Sequence, residues 1–378
     1  MTAIDIFCRV IDNYGDMGVC WRLARQLKHE HGCQVRLWMD DLPAMRRMLP
    51  EIVLVEAQEV QGVQLCWWRE DFPAIDASDI PDLVIEGFGC KLPDSYLQGM
   101  AGRQPAPAWI NLEYLSAEEW VEGCHGLPSR HPQLGLTKHF FFPGFTAATG
   151  GLIAERGLQA ARRAFTAHAQ QAFLQSLNVQ RSAQQRLLNL FCYPHAPLEQ
   201  LFDVLAGEPQ ATLLLVAEGV AGDAISAFLG GPALAGARAS RGALTVQVLP
   251  FLSQDDYDRL LWCGDFNFVR GEDSFVRAQW AELPFLWHIY PQEEAAHLVK
   301  LDAFLERYCV GLPTELAAAL KALMRGWNTG EIPIPAWQAL WNEEAHPILL
   351  AHARGWADAL YGLGDLASKL LRFATESC

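Results

Sequence analysis

The sequence predicts an α/β protein made of two doubly wound, parallel-sheet domains of comparable size facing each other. Three observations carry that prediction. Short, near-continuous apolar runs alternate with amphipathic helical patterns, as in parallel sheets covered on both faces. The alternation breaks off at a polar stretch and then restarts. The chain has 378 residues, more than one hydrophobic core commonly serves.

The elements follow in order. "AIDIFCRV" (3–10) reads as a strand. From Gly18 onward, Cys20, Leu23, Ala24 and Leu27 recur at helical spacing. "CQVRLWM" (33–39) is the next strand, and "LPAMRRML" (42–49) a short helix with Pro43 near its start. "PDLVIEGFG" (81–89) and "AWINLEYLS" (108–116) read as strands running into loops. Between about Gly123 and Gly151 the pattern stops. So long an irregular segment is expected to be functional or mobile, and Phe140 to Phe142 read either as a mobile surface or as a loop packed under the sheet. A helix follows through Glu155–Leu177, and the polar "NVQRSAQQ" (178–185) reads as a domain joint.

In the second half, "RLLNLFCY", "ATLLLVAE", "ALTVQVLPF", "DFNFVRG" and "PFLWHIY" are strands separated by helices, one of them capped by Ser253. Helices dominate thereafter. The expected domains are 1–183 and 184–360.

Composition excludes several functions. A formal net charge of -15 without a basic patch argues against nucleic acid; Arg46-Arg47 and Arg162-Arg163 read as solvated helix faces. The 10 cysteines form no CxxC pair, so neither a zinc site nor a compact disulfide framework is expected. No apolar run reaches membrane-spanning length, and reduced thiols in the cytoplasm are expected. No GxGxxG fingerprint is present, and the loop Gly144–Gly151 lacks the lysine of a Walker sequence. The acid-x-acid pair Asp256 and Asp258 reads as a solvated first helical turn, and the histidines as solvated or satisfied.

The stretch "FNFVRGEDSFVRAQWAELPFLWHIYPQ" (266–292) is the most informative. Its strand ends at Arg270-Gly271, and Asp273 or Ser274 can cap the next helix. Ligands collect at the carboxyl ends of such strands, and a helix start suits a diphosphate. Arg270 or Arg277 would add charge-assisted bonds, while Glu272 and Asp273 suit ribose hydroxyls better than phosphate. Phe191, Tyr193, Phe251 and Gln254 end at the same edge and offer what a pyrimidine needs, aromatic faces and an amide.

These residues resemble the donor half of a GT-B glycosyltransferase. The opening "IFCRVIDNYGDMGVCWRLARQL", with "FFFPGFTAATGGL", "FCYPHAPL" and "RGEDSFVRAQWAELPFLWHIYPQEE", resembles the elongation factor P arginine rhamnosyltransferases over nearly the whole chain. The resemblance implies a GT-B-like fold, with two Rossmann-like domains facing across a cleft and residues 361–378 packing back on the first. It implies inverting transfer from dTDP-β-L-rhamnose to an arginine of elongation factor P, which activates that factor for rescue of polyproline-stalled ribosomes. Phe191, Tyr193, Phe251 and Gln254 would surround the thymidine. Arg270, Glu272, Asp273 and Ser274 would contact ribose and diphosphate, with Glu272 also in the catalytic set. Asp12, Asn13, Gly15, Asp16 and Gly18 would face sugar and acceptor. No metal or other cofactor is implied, and monomer is the default expectation. The alternatives are a GT-B enzyme with another nucleotide sugar or a small acceptor, and a nucleotide-binding module without turnover.

The first loop, "DNYGDMG" (12–18), carries carboxylates where other strand–helix joints bind phosphate. With the diphosphate on the second domain, Asp16 is free to act as base on the acceptor guanidinium, and Asp12 to hold its other nitrogens. Gly15 and Gly18 are expected to permit close approach and unusual backbone angles. The plainer reading is that Asp16 caps a helix starting at Gly18.

Overall fold

A computed structural model describes residues 2–11 and 14–377. The chain divides into two units, Met1–Arg156 with Leu360–Cys378, and Gly157–Ala359. The first unit opens with β1 (Ala3–Cys8), α1 (Tyr14–His31), β2 (Gln34–Met39), α2 (Leu42–Met48), β3 (Ala57–Val60) and β4 (Val63–Trp67). It continues with β5 (Leu83–Gly87), α3 (Asp94–Gly102), β6 (Ala108–Leu112), α4 (Trp120–Cys124), β7 (Pro128–Arg130) and β8 (Thr137–Phe141). The second unit opens with α5 (Leu158–Ala164), α6 (Ala167–Ser176), β9 (Arg186–Leu190), α7 (Leu198–Gly207), β10 (Thr212–Ala217) and α8 (Gly222–Leu229). It proceeds through β11 (Arg238–Arg241), β12 (Leu244–Leu249), α9 (Gln254–Cys263), β13 (Phe266–Arg270), α10 (Asp273–Trp280) and β14 (Phe285–His288). Helices α11 (Ala296–Tyr308), α12 (Thr314–Thr329), α13 (Ile334–Leu340), α14 (Ala345–Gly362) and α15 (Leu366–Ser377) complete the chain.

Both sheets are wound outward from a central first strand. The first has the order β3-β4-β2-β1-β5-β6-β8-β7, parallel from β4 to β8, with β3 and β7 as antiparallel edges. The second has the order β11-β12-β10-β9-β13-β14, parallel except for the edge strand β11. In each, the chain builds one flank and then crosses to the other side of its first strand. The switch points are therefore β1/β5 and β9/β13, where ligands bind in such sheets. The central strands are buried along their length, as their continuous apolar character requires.

Several expectations need correction. Helix α1 begins at Tyr14 rather than Gly18, so Gly15 and Gly18 are helical residues and neither has a positive φ. The segment 123–151 is not one irregular loop, because it contains α4, β7 and β8. β8 pairs with β6 and β7, and the Phe141 ring packs against Phe373 of α15. Phe141 and Phe142 are buried, which removes the mobile-surface reading for them. The hairpin β3–β4 is an element that the hydrophobic pattern does not predict. It turns on Gln61-Gly62, both with positive φ, the backbone a tight hairpin demands. The contact boundary falls at Gly157, since α5 and α6 lie with the second unit: Phe165 meets Trp262, and Arg162 donates to the Ala281 carbonyl (2.8 Å). In the first unit, Leu366, Ala367 and Leu370 of α15 join the core that β1 and α1 share.

Candidate active site

Two groups of side chains gather at the carboxyl edges of the two sheets, one in each unit. In the second unit, β13 ends at Arg270, and Gly271 takes a φ of +60° before α10 begins. The Arg270 guanidinium lies 4.3 Å from the Phe191 ring centroid and 4.8 Å from that of Tyr193. It also donates to the Cys192 carbonyl (3.1 Å). A cation is thus held at the β9/β13 switch point, beside a helix amino terminus.

Ser274 does not cap α10. Its hydroxyl accepts from the Arg270 backbone N–H (3.0 Å) and donates to the Arg270 carbonyl, locking the strand end to the helix start. Glu272 occupies the cap position without capping through its side chain. Asp273 stands in the first turn and accepts from Gln254 Nε2 (3.2 Å), which ties the start of α9 to α10. Phe251 is an exposed ring at the same edge. The structure therefore joins Phe191, Tyr193, Arg270 and Ser274 in one cluster and Gln254 with Asp273 in another.

Arg277 is a correction. It is buried and paired in bidentate fashion with Asp258 (2.9 and 2.6 Å), so it faces no phosphate. The same pair removes Asp258 from the solvated turn that sequence reasoning gave it.

Sequence reasoning also missed the groups that hold this edge in place. His288, fully buried at the end of β14, accepts the Tyr193 backbone N–H at Nδ1 (3.2 Å). Burial, reinforced by His195, Arg270 and His297, pulls its pKa down to about 3, so the ring is neutral. Trp287 Nε1 donates to the Gly271 carbonyl (2.7 Å), and Asn328 brackets β14 through the Ile289 N–H and the Trp287 carbonyl. Sequence gives no signal for these, because buried His, Trp and Asn read as ordinary core.

In the first unit, Asp16 lies in the opening turn of α1 with 2% of its surface exposed. Its Oδ2 accepts the Ile11 backbone N–H (2.8 Å), so the carboxylate is tied to the backbone that follows β1. Gly15 is half-buried and Gly18 buried in the same two turns. Asp12 and Asn13 lie outside the described residues. The Cys8 thiol is pushed well up by a hydrogen bond to Cys20 and by burial, with Asp16 and Cys90 adding to the effect. The first unit thus holds a buried carboxylate in the opening turn of α1, and the second unit a cation and a helix start.

Comparison with known proteins identifies the family. The model of the family described as elongation factor P (EF-P) rhamnosyltransferase EarP matches residues 4–375. The chain belongs to this family. A relative from Pseudomonas putida, named protein-arginine rhamnosyltransferase, is 51% identical and covers 99% of this chain and 98% of its own. A solved structure described as the structural basis for EarP-mediated arginine glycosylation of translation elongation factor EF-P is 38% identical, covers both chains fully and has a TM-score of 0.70. The fold also resembles Acinetobacter baumannii MurG, at 12% identity and a TM-score of 0.50. The chain is accordingly a protein-arginine rhamnosyltransferase with two GT-B-type α/β domains.

Proposed function

We propose that this chain transfers L-rhamnose from dTDP-β-L-rhamnose to an arginine side chain of elongation factor P, with inversion. The observation that carries the donor half is Arg270, held over Phe191 and Tyr193 at the β9/β13 switch point beside the start of α10. A leaving diphosphate there meets a guanidinium and the positive end of the α10 dipole, which stabilise the charge that develops as the glycosidic bond breaks. In this reading no metal is needed for that step. Phe191, Tyr193, Phe251 and Gln254 take the thymidine, and Glu272, Asp273 and Ser274 the ribose and diphosphate. Asn13, Gly15 and Gly18 line the sugar side.

Asp16 is the general base. The acceptor guanidinium is protonated near neutral pH, since its pKa lies above about 12. A carboxylate is far too weak a base to remove that proton beforehand. Transfer is therefore late: the nitrogen attacks the anomeric carbon, bond formation acidifies it, and Asp16 then accepts the proton. Asp12 orients the remaining guanidinium nitrogens. Buried, and fixed by the Ile11 N–H, Asp16 keeps its orientation without waiting for substrate. An acceptor that serves translation places the reaction in the cytoplasm.

Intact-mass spectrometry of elongation factor P, incubated with this protein and dTDP-β-L-rhamnose, tests the proposal. The expected result is a gain of one deoxyhexose. Asp16→Asn should lower turnover by about a hundredfold or more while dTDP affinity stays near wild type. Full activity in that variant removes Asp16 as base. No mass gain from the wild type, with dTDP still bound tightly, moves the acceptor to another molecule.

A further inference from the structure

The loop after β5 lies at the first sheet's own switch point, beside the strand that leads to Asp16. Its backbone is unusual. Phe88 and Lys91 have φ of +55° and +54°, a region that L-residues with side chains occupy only when their surroundings impose it. Those surroundings are present. The Phe88 N–H donates to the Leu112 carbonyl (2.7 Å), Gly89 N–H to Asn111 Oδ1 (3.0 Å), and Lys91 N–H to Glu86 Oε1 (2.9 Å). Glu86 and Asn111 are both buried, and Glu86 also holds Lys138 Nζ (2.9 Å). Cys90 Sγ donates to the Phe7 carbonyl (3.4 Å), which fastens the loop to β1.

All this restraint fixes one side chain. The Phe88 ring is stacked on Tyr114 with centroids 4.4 Å apart and planes 19° from parallel. Phe88 is buried, whereas Tyr114, just past the end of β6, is partly exposed. Strand β6 is two strand spacings, about 10 Å, from β1, so side chains from both ends can meet one ligand. Glu113, hydrogen-bonded by Asn111 Nδ2, adds a carboxylate next to the ring in the chain.

We infer that Tyr114 is the specificity-determining aromatic face on which the acceptor guanidinium lies, and that Phe88 is the positioning residue that holds this face in place. The inference deepens the proposed function and rests on its acceptor being an arginine. A guanidinium is planar and weakly hydrated, so it stacks on a tyrosine ring while its edge meets a carboxylate. An ammonium is compact and strongly hydrated and gains less from the same face. Asp16 attracts either cation; the ring separates them.

The test uses the full chain with elongation factor P carrying its native arginine, and with lysine in that place. Wild type is expected to bind the arginine form about five- to tenfold tighter. Tyr114→Leu should raise the KM for the arginine acceptor by a similar factor and bring the arginine/lysine binding ratio near one. Tyr114→Phe should retain both, and dTDP affinity should stay unchanged in every variant. Tyr114→Met carries the same test should the leucine variant not fold. An unchanged KM and ratio in Tyr114→Leu or Tyr114→Met overturns the inference, as does loss of the preference in Tyr114→Phe, which would assign it to the hydroxyl. The binding comparison does not depend on turnover. A wild type that binds the arginine form selectively but transfers no sugar counts against the proposed function and leaves this inference standing.

Discussion

Arg270 and Arg277 stand seven residues apart and have different partners. Arg270 sits over two aromatic rings at a strand end, while Arg277 is enclosed with Asp258. Sequence offered both as phosphate ligands, because residue type alone does not report burial. His288 shows the same limit. It reads as a lone histidine in a strand, yet its Nδ1 fixes the backbone of Tyr193. Its Nε2, which must then carry the proton, is buried without a hydrogen-bond partner. This makes a pH prediction. The folded-state pKa is about 3, below the unfolded value of about 6.5. Between those values the unfolded state binds more protons, so stability is complete above about pH 6.5 and is lost as pH falls towards 3. At pH 5 the loss from this one residue is about 2 kcal/mol. Denaturant unfolding at pH 7.5 and pH 5 should show that much extra loss in the wild type over His288→Gln. Equal losses in the two proteins would show that His288 charges freely in the folded state.

At the scale of elements, the parallel strands were legible because burial on both faces leaves continuous apolar runs, and helices α7 and α9 because one face is apolar. The strands β3, β4, β7, β8 and β11 were not. They belong to antiparallel pairs at the sheets' edges, with mixed polar and apolar side chains, as in "TKHFF". Helix α1 also starts earlier than the hydrophobic pattern predicts. Its first turn holds polar residues and glycine, and the hydrophobic periodicity begins only later. The Asp258–Arg277 pair, which joins α9 to α10, was invisible for the same reason: both residues are charged, and only packing buries them. Removing one partner leaves a buried charge without its counterion. Asp258→Ala should therefore lower unfolding free energy by about 3 to 5 kcal/mol. On the proposed function, in which Ser274 and Asp273 of α10 meet the donor, dTDP affinity should fall as well, readable by calorimetry. A variant as stable as wild type would mean that α10 is seated by its apolar contacts alone, such as the stacking of Phe275 on Trp287 at 3.8 Å.

The whole molecule follows from two sheets of the same winding, each with its own switch point and core. Sequence conveyed that plan through the restart of alternation, and the rhamnosyltransferase family through motifs taken together. What it could not convey was how distant segments complete a core. Helix α15 follows the whole of the second unit, yet Leu366, Ala367 and Leu370 are buried with β1 and α1. Polar contacts secure it: Gln26 Nε2 reaches Asp365 (3.2 Å), and Lys369 Nζ reaches the Thr149 carbonyl (2.9 Å). Burying two leucines is worth on the order of 5 kcal/mol, comparable with the stability of a typical domain. Truncation after Gly364 should therefore loosen the first unit and spare the second, whose core contains none of these residues. Hydrogen exchange checks this element by element. Amides of β1, α1 and β6 should lose protection, those of β9, β10 and β13 should keep theirs, and dTDP should still bind while transfer to the acceptor stops. Retained protection in β1 would show that the first core closes without α15. Equal loss in both units would show that the two sheets unfold as one cooperative body.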